Sequence, residues 1–167
     1  LITYLDEASE ITAFCHALGA RIVQLHGDID RDELKHLKTL DPNLTVIKSL
    51  VIGMRDEKSL EAMMSELSQF VDAFITDTFD PTTGASGATG KTHDWRVSRR
   101  LVELADRPVI LAGGLTPENV KSAILEVQPA GVDSHTGVED STGRKSREKV
   151  RKFLSEAYEA FALVKAK

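Results

Sequence analysis

The chain has 167 residues, enough for one domain with a real core and too few for two of ordinary size. Its formal net charge of −5 comes from interspersed acidic and basic residues, which argues against a nucleic-acid surface. A single cysteine excludes an internal disulfide framework and suits a reducing compartment, and no stretch is apolar for long enough to span a bilayer, so the expected setting is the cytoplasm.

The chain opens on Leu1-Ile2-Thr3-Tyr4-Leu5, a strand already under way with no initiator Met. Either the natural protein begins earlier or a buried-looking strand begins at the terminus. Residues 7–18 carry Ile11, Phe14, Cys15 and Leu18 at helical spacing before Gly19 supplies a stop. Cys15 on that stripe is expected to pack rather than react. A strand over 21–25 leads into Gln24-Leu25-His26-Gly27-Asp28, and a helix over 31–40 runs until Asp41-Pro42 breaks it. Alternation puts Gln24 and His26 on one face. If that face lines a barrel mouth both reach a ligand; otherwise His26 is an ordinary turn residue. Residues 44–52 form an apolar, β-branched strand carrying one charge, Lys48, inward or at its end. A helix over 57–70 follows, in which Met63 and Met64 are core filler.

The stretch 71–95 departs most from what folding alone requires. Phe74 and Ile75 lead a strand that ends on Asp77, and a Gly/Ser/Thr-rich loop follows before a helix over 94–105. In parallel α/β folds ligands bind at that edge, although an aspartate also ends strands and starts turns for purely local reasons. A strand over 108–112 ends in Gly113-Gly114; Thr116 is then a good N-cap and Pro117 a good first helical residue. Paired glycines before a capped helix suit an anion such as phosphate, or simply a tight turn. A short strand over 130–134, the turn His135-Thr136-Gly137, a basic loop Gly143-Arg144-Lys145 and a helix from about Ser146 complete the chain. Strand and helix alternate six times, which calls for a mostly parallel sheet with crossover helices. Gly90-Lys91-Thr92 is not a P-loop, because Ala85 stands where that motif needs glycine. The histidines lack the short paired spacing of a zinc site, so no metal is expected.

Four ordered blocks carry a family resemblance: Val23-Gln24-Leu25-His26-Gly27; the loop from Gly87 to Trp95 after Asp77; Leu111-Ala112-Gly113-Gly114-Leu115-Thr116-Pro117-Glu118-Asn119-Val120; and Val132-Asp133-Ser134-His135-Thr136-Gly137-Val138-Glu139. Together they resemble the phosphoribosylanthranilate isomerases of tryptophan biosynthesis. The resemblance implies an α/β fold, the (β/α)8 TIM barrel, with residues 1–167 a single partial domain covering units three to eight. It implies an isomerase of the aldose-ketose type that carries out an Amadori rearrangement of N-(5-phosphoribosyl)anthranilate to 1-(2-carboxyphenylamino)-1-deoxyribulose 5-phosphate, without a cofactor. Carried over residue by residue, Asp77 is the general acid; Gly113, Gly114 and the turn His135, Thr136 and Gly137 hold the phosphate; His26 and Gln24 line the pocket.

Two departures accompany it. The family's general base is a cysteine at the end of the first strand, and nothing here matches the first two units; Cys15, on a helix, cannot take that role. Where the family commonly has two serines after the eighth strand, this chain has His135-Thr136. We therefore expect a natural barrel whose N-terminal part is absent from this sequence. The alternatives are another phosphosugar isomerase or epimerase on the same barrel, or a non-catalytic phosphate-binding or assembly fragment. The expected partner is a small phosphorylated sugar substrate, or, in the assembly reading, a second copy that covers the open edges to form a homo-oligomer, with no nucleic acid or membrane.

Overall fold

A computed structural model of the chain describes residues 1–80, 82, 85, 86, 90 and 92–165. Of the loop block that follows Asp77, Gly87, Ala88, Thr89 and Lys91 lie outside the described residues.

The apolar, β-branched runs form strands and the helical-period runs pack over them. In chain order these are β1 (Ile2–Thr3), α1 (Ala8–Leu18), β2 (Ile22–Leu25), α2 (Arg31–Leu40), β3 (Thr45–Ile52), α3 (Glu57–Leu67), β4 (Ala73–Asp80), β5 (Ala85–Ser86), α4 (Trp95–Leu104), β6 (Val109–Leu111), α5 (Val120–Val127), β7 (Gly131–Val132) and α6 (Arg147–Lys165). Six strands pair in parallel in the order β1-β2-β3-β4-β6-β7, and β5 adds an antiparallel hairpin to β4. Sequential parallel neighbours need crossovers, which the helices supply.

Local chemistry sets the helix ends. Gly19 takes the left-handed conformation (φ 64°) after α1, and Ala20 N–H closes the end on the Cys15 carbonyl at 2.9 Å. Asp56 caps α3 by accepting from Ser59 N–H at 2.8 Å, and Asp94 caps α4 by accepting from Arg96 N–H at 3.0 Å. The helix expected over 57–70 stops at Leu67, because the chain must turn to bring Asp72 back to the sheet, where its carboxylate accepts from Val46 N–H at 2.7 Å and from Lys38.

The sheet's outer face and the helices enclose the core. Ile11, Cys15, Val23, Leu25, Leu34, Leu37, Leu60 and Phe74 are almost wholly buried there, and a second cluster joins Leu111 and Leu115 to α5 and α6. Full burial stabilises each such side chain by roughly 1.5–3 kcal/mol. Cys15 packs as expected, and burial pushes its thiol pKa up. Phe14 and Leu18, read as part of the same buried stripe, are instead exposed, as are Ile2 and Ile22 on the neighbouring strands. Among the described residues no strand pairs with the outer edge of β1 or of β7.

Lys48 stands mid-strand on the helix-facing side of β3, level with Leu25 and Phe74. It is 2 % exposed, and its ammonium donates to the Ser49 carbonyl at 3.0 Å and the Leu25 carbonyl at 3.5 Å. Burial pulls its pKa down to about 8. The strand's one charge is thus neither at its end nor in the cavity on the other face.

Candidate functional site

The inner face of the sheet opens, at the carboxyl ends of its strands, into a cavity of about 320 Å³. Gln24 and His26 reach it from β2, Asp77 from β4, Gly113 and Gly114 from the turn after β6, and His135, Thr136 and Gly137 from the turn after β7. All eight residues singled out in the sequence therefore border one space. A larger, more open groove lies over α2 and α3, but its charges are of mixed sign and Arg55 there is already paired with both oxygens of Asp28 at 3.0 Å.

Alternation aims the first three side chains inward, while Val23, Leu25 and Phe74 face the helices. Asp77 does not end its strand, as the sequence suggested. Pairing with β3 continues through Thr78, and the strand then runs on to Asp80 in the hairpin with β5. Parallel pairing with β6 stops at Ile75, which leaves the Asp77 carboxylate at the edge of the parallel sheet. One of its oxygens accepts from Thr78 N–H at 2.8 Å; the other lies 3.3 Å from His26 Nε2. Tyr4 stacks on the His26 ring at a centroid separation of 4.9 Å. Nδ1 of that ring is buried with no partner among the described residues, and such unsatisfied polar atoms concentrate at functional sites. Gln24 is fixed by donating to Ser49 Oγ at 3.1 Å.

The opposite wall is backbone. Gly113 and Gly114 have φ of 97° and 63°, which side-chain-bearing residues rarely adopt. Thr76 ties this turn to β4, its hydroxyl accepting from Ala112 N–H at 3.1 Å. Ser134 ties the next turn to this one by donating to the Leu115 carbonyl at 2.6 Å, and Gly137 packs so closely on that carbonyl that an added Cβ would overlap it. Among the described residues no acceptor engages the amides of Gly113, Gly114, His135 or Thr136. Amides left without an acceptor around one cavity are the raw material of an anion-binding concavity.

The helix N-terminus expected to hold the anion does not offer its first amides. Thr116 N–H is taken by Asn119 Oδ1 at 2.8 Å and Glu118 N–H by Thr116 Oγ1 at 3.2 Å, so Thr116 caps the turn although regular helix begins only at Val120. The amides of the glycine turn before it have no such acceptor among the described residues. His135 does not fill the cradle: its side chain is 63 % exposed and sits 3.4 Å from Glu139, which also binds Lys145 at 2.8 Å.

Two titratable residues of the site were not singled out in the sequence. Asp133 borders the cavity, and burial, then the negative charge of Asp77, push its pKa up. His93, just before α4, lies 2.9 Å from Thr78 Oγ1 through Nδ1 and 2.6 Å from Ser98 Oγ through Nε2. Burial drives its pKa from 6.5 down to about 4, against the opposing charges of Asp77 and Asp94. The unfolded chain therefore binds a proton near pH 6.5 that the folded protein refuses until about pH 4. Stability should fall as pH drops through that window, by on the order of 3 kcal/mol. Urea unfolding of the protein and of His93→Phe across this range checks it: the variant should lose that part of the pH dependence, and equal slopes for the two would refute it. Among the described residues no group of three or more His, Cys, Asp or Glu is placed to hold a metal ion.

Parallel β/α units with a ligand-sized cavity at the strand carboxyl ends define this chain as part of a TIM-type barrel. It belongs to the N-(5'-phosphoribosyl)anthranilate (PRA) isomerase family, whose sequence model matches residues 5–156. It is 44 % identical over 166 residues to N-(5'-phosphoribosyl)anthranilate isomerase 2 of Methanosarcina mazei, a match covering 99 % of this chain and 72 % of the relative. Among solved structures, the isomerase from Pyrococcus furiosus superposes with a TM-score of 0.75 at 28 % identity, over 95 % of this chain and 72 % of that one. An isomerase solved with reduced 1-(o-carboxyphenylamino)-1-deoxyribulose 5-phosphate gives 0.71 at 25 % identity, over 95 % and 69 %. The chain spans between 66 and 72 % of the length of the first two curated relatives.

Proposed function

We propose that this chain carries the acid and phosphate-binding parts of a phosphoribosylanthranilate isomerase of tryptophan biosynthesis, as a single unit corresponding to the third to eighth β/α units of the barrel. One observation carries the reading: the Asp77 carboxylate, held by two hydrogen-bonding neighbours, shares a cavity of about 320 Å³ with the glycine turns after β6 and β7, whose amides have no acceptor among the described residues. The solved relative that binds a reduced deoxyribulose 5-phosphate shows that a family member accepts a ligand with a phosphate at one end.

In this reading the 5-phosphate accepts from the amides of Gly113, Gly114 and the 135–137 turn, and its binding energy positions the reacting end. Asp77 gives its proton to the ribose ring oxygen. The C1–O bond breaks as the nitrogen lone pair forms a protonated imine at C1. Loss of the C2 proton to a base then gives an enolamine, which tautomerises to the aminoketone. Protons and electrons balance within the substrate, so the reaction requires no redox partner. Cys15 is wholly buried in α1 and takes no part; none of these 167 residues is assigned the base. Gln24 and His26 line the substrate pocket, with His26 orienting Asp77, and Asp133 brings to the same cavity a second carboxyl whose pKa burial pushes up.

The test is to supply phosphoribosylanthranilate to the protein, with ribose and ribulose phosphates in parallel, and to follow the aminoketose by chromatography. Conversion of the anthranilate adduct is expected of the protein that also carries the base-bearing first β/α units, and none is expected of these 167 residues alone. Turnover of another phosphosugar alone would replace this reading with that of a different isomerase or epimerase.

A further inference from the structure

We propose that His93 is a positioning residue that sets the acid Asp77 and the phosphate turn at Gly113 in one fixed relation; the proposal rests on the reading of the site given above. His93 belongs to neither strand end and borders no ligand contact assigned so far. It bridges two hydroxyls that are almost fully buried, Thr78 on β4 (4 % exposed) and Ser98 on α4 (0 % exposed), at 2.9 and 2.6 Å. A neutral imidazole has one N–H and one lone pair, and each hydroxyl rotates to complement whichever it meets, so both links are satisfied at once.

The arrangement matters because of what Thr78 and Gly113 do next. Thr78 is the residue after Asp77, and its N–H, at 2.8 Å, fixes one oxygen of the acid. On the other side, a Cβ built on Gly113 would lie 3.1 Å from His93 Nδ1 and would overlap Thr78 Oγ1, so the Gly113 backbone rests directly on the Thr78–His93 pair. Ser98 anchors the pair to α4, in which Leu101 is also buried. The chain Ser98–His93–Thr78 thus ends on both halves of the site. An apolar filler of the same volume would occupy the space without holding Thr78, and the two buried hydroxyls would lose their partner. A shift of even an ångström in a group near the chemistry costs on the order of 100-fold in rate.

His93→Phe keeps the volume and removes both links; His93→Gln keeps one donor and one acceptor; Ser98→Ala cuts the far link alone. For each, kcat and KM with phosphoribosylanthranilate, the Kd of inorganic phosphate by calorimetry, and Tm are measured. The expected result is that His93→Phe lowers kcat by on the order of 10- to 100-fold and weakens phosphate binding about tenfold. Partial recovery of both in His93→Gln, and a smaller loss in the same direction in Ser98→Ala, belong to the same expectation. A lower Tm with kcat and phosphate Kd unchanged would overturn the proposal and leave His93 a packing residue. If His93→Phe does not fold, Ser98→Ala decides: unchanged kcat and Kd overturn the proposal, and joint losses sustain it. A parent protein that binds phosphate but does not turn over the substrate would sink the assigned reaction instead, while the phosphate Kd values would still judge His93.

Discussion

Asp77→Asn should abolish the isomerisation while leaving the site able to bind a phosphorylated product analogue. Asparagine keeps the shape of aspartate, and its amide oxygen can still accept from Thr78 N–H, which now meets a carboxylate oxygen at 2.8 Å. Its amide nitrogen can still face His26 Nε2, 3.3 Å from the present oxygen. What it cannot do is release a proton to the ribose ring oxygen. Loss of a general acid lowers rate by roughly 10²- to 10⁴-fold. The proposed phosphate cradle, the backbone of the turns after β6 and β7, is untouched by the change, so the analogue's Kd should move by less than about tenfold. Steady-state kinetics alongside calorimetry with the reduced ketose phosphate separate the two effects. Turnover that survives the substitution would remove Asp77 from the acid role, and loss of both rate and binding would mark it as a structural support of the pocket.

The positions of the acid and the glycines were legible because each leaves a local trace. A β-branched run ending in a carboxylate, and paired glycines at the end of another, are visible in the chain one residue at a time. Alternation was enough to put Gln24 and His26 on one face. Pairings across the fold left no such trace: His26 and Asp77 are 51 residues apart, and only the order of the strands brings them within 3.3 Å. Asp133 falls inside the strand read over 130–134, but only Gly131–Val132 is regular strand, too short for alternation to say which way the Asp133 side chain points. His93 carries no signal of metal-ligand spacing, because its partners, Thr78 and Ser98, are neutral hydroxyls that only the fold brings to it. Thr116 accepts from Glu118 N–H as a cap would, but regular helix begins only at Val120, with Asn119 as its N-cap, so Thr116 and Pro117 open a turn rather than the helix. Phe14 and Leu18 show the converse error, since helical spacing says which residues share a stripe but not whether anything lies against it.

The second large effect lies at Gly137, where the reason for glycine is space rather than backbone freedom. Its φ is not in the left-handed region, yet a Cβ there would overlap the carbonyl oxygen of Leu115 and crowd Ser134 Oγ at 3.0 Å. Neither neighbour can give way cheaply. The Leu115 carbonyl is backbone and already accepts the Ser134 hydroxyl at 2.6 Å, the bond that locks the two phosphate turns together. Gly137→Ala must therefore push the turn after β7 away from the turn after β6, at a cost of about 3 kcal/mol. If, as proposed, the anion is held by amides of both turns, phosphate affinity should fall by at least about tenfold even at temperatures where the variant remains folded. Gly143→Ala is the matched control. Gly143 has φ of 78° but open space around its missing Cβ, so alanine there meets only the left-handed strain of roughly 1–2 kcal/mol. That variant should lose some stability and no phosphate affinity. Thermal unfolding and phosphate calorimetry on the pair give the answer: equal phosphate affinity in the two variants would show that the cradle does not depend on the close packing of its two turns.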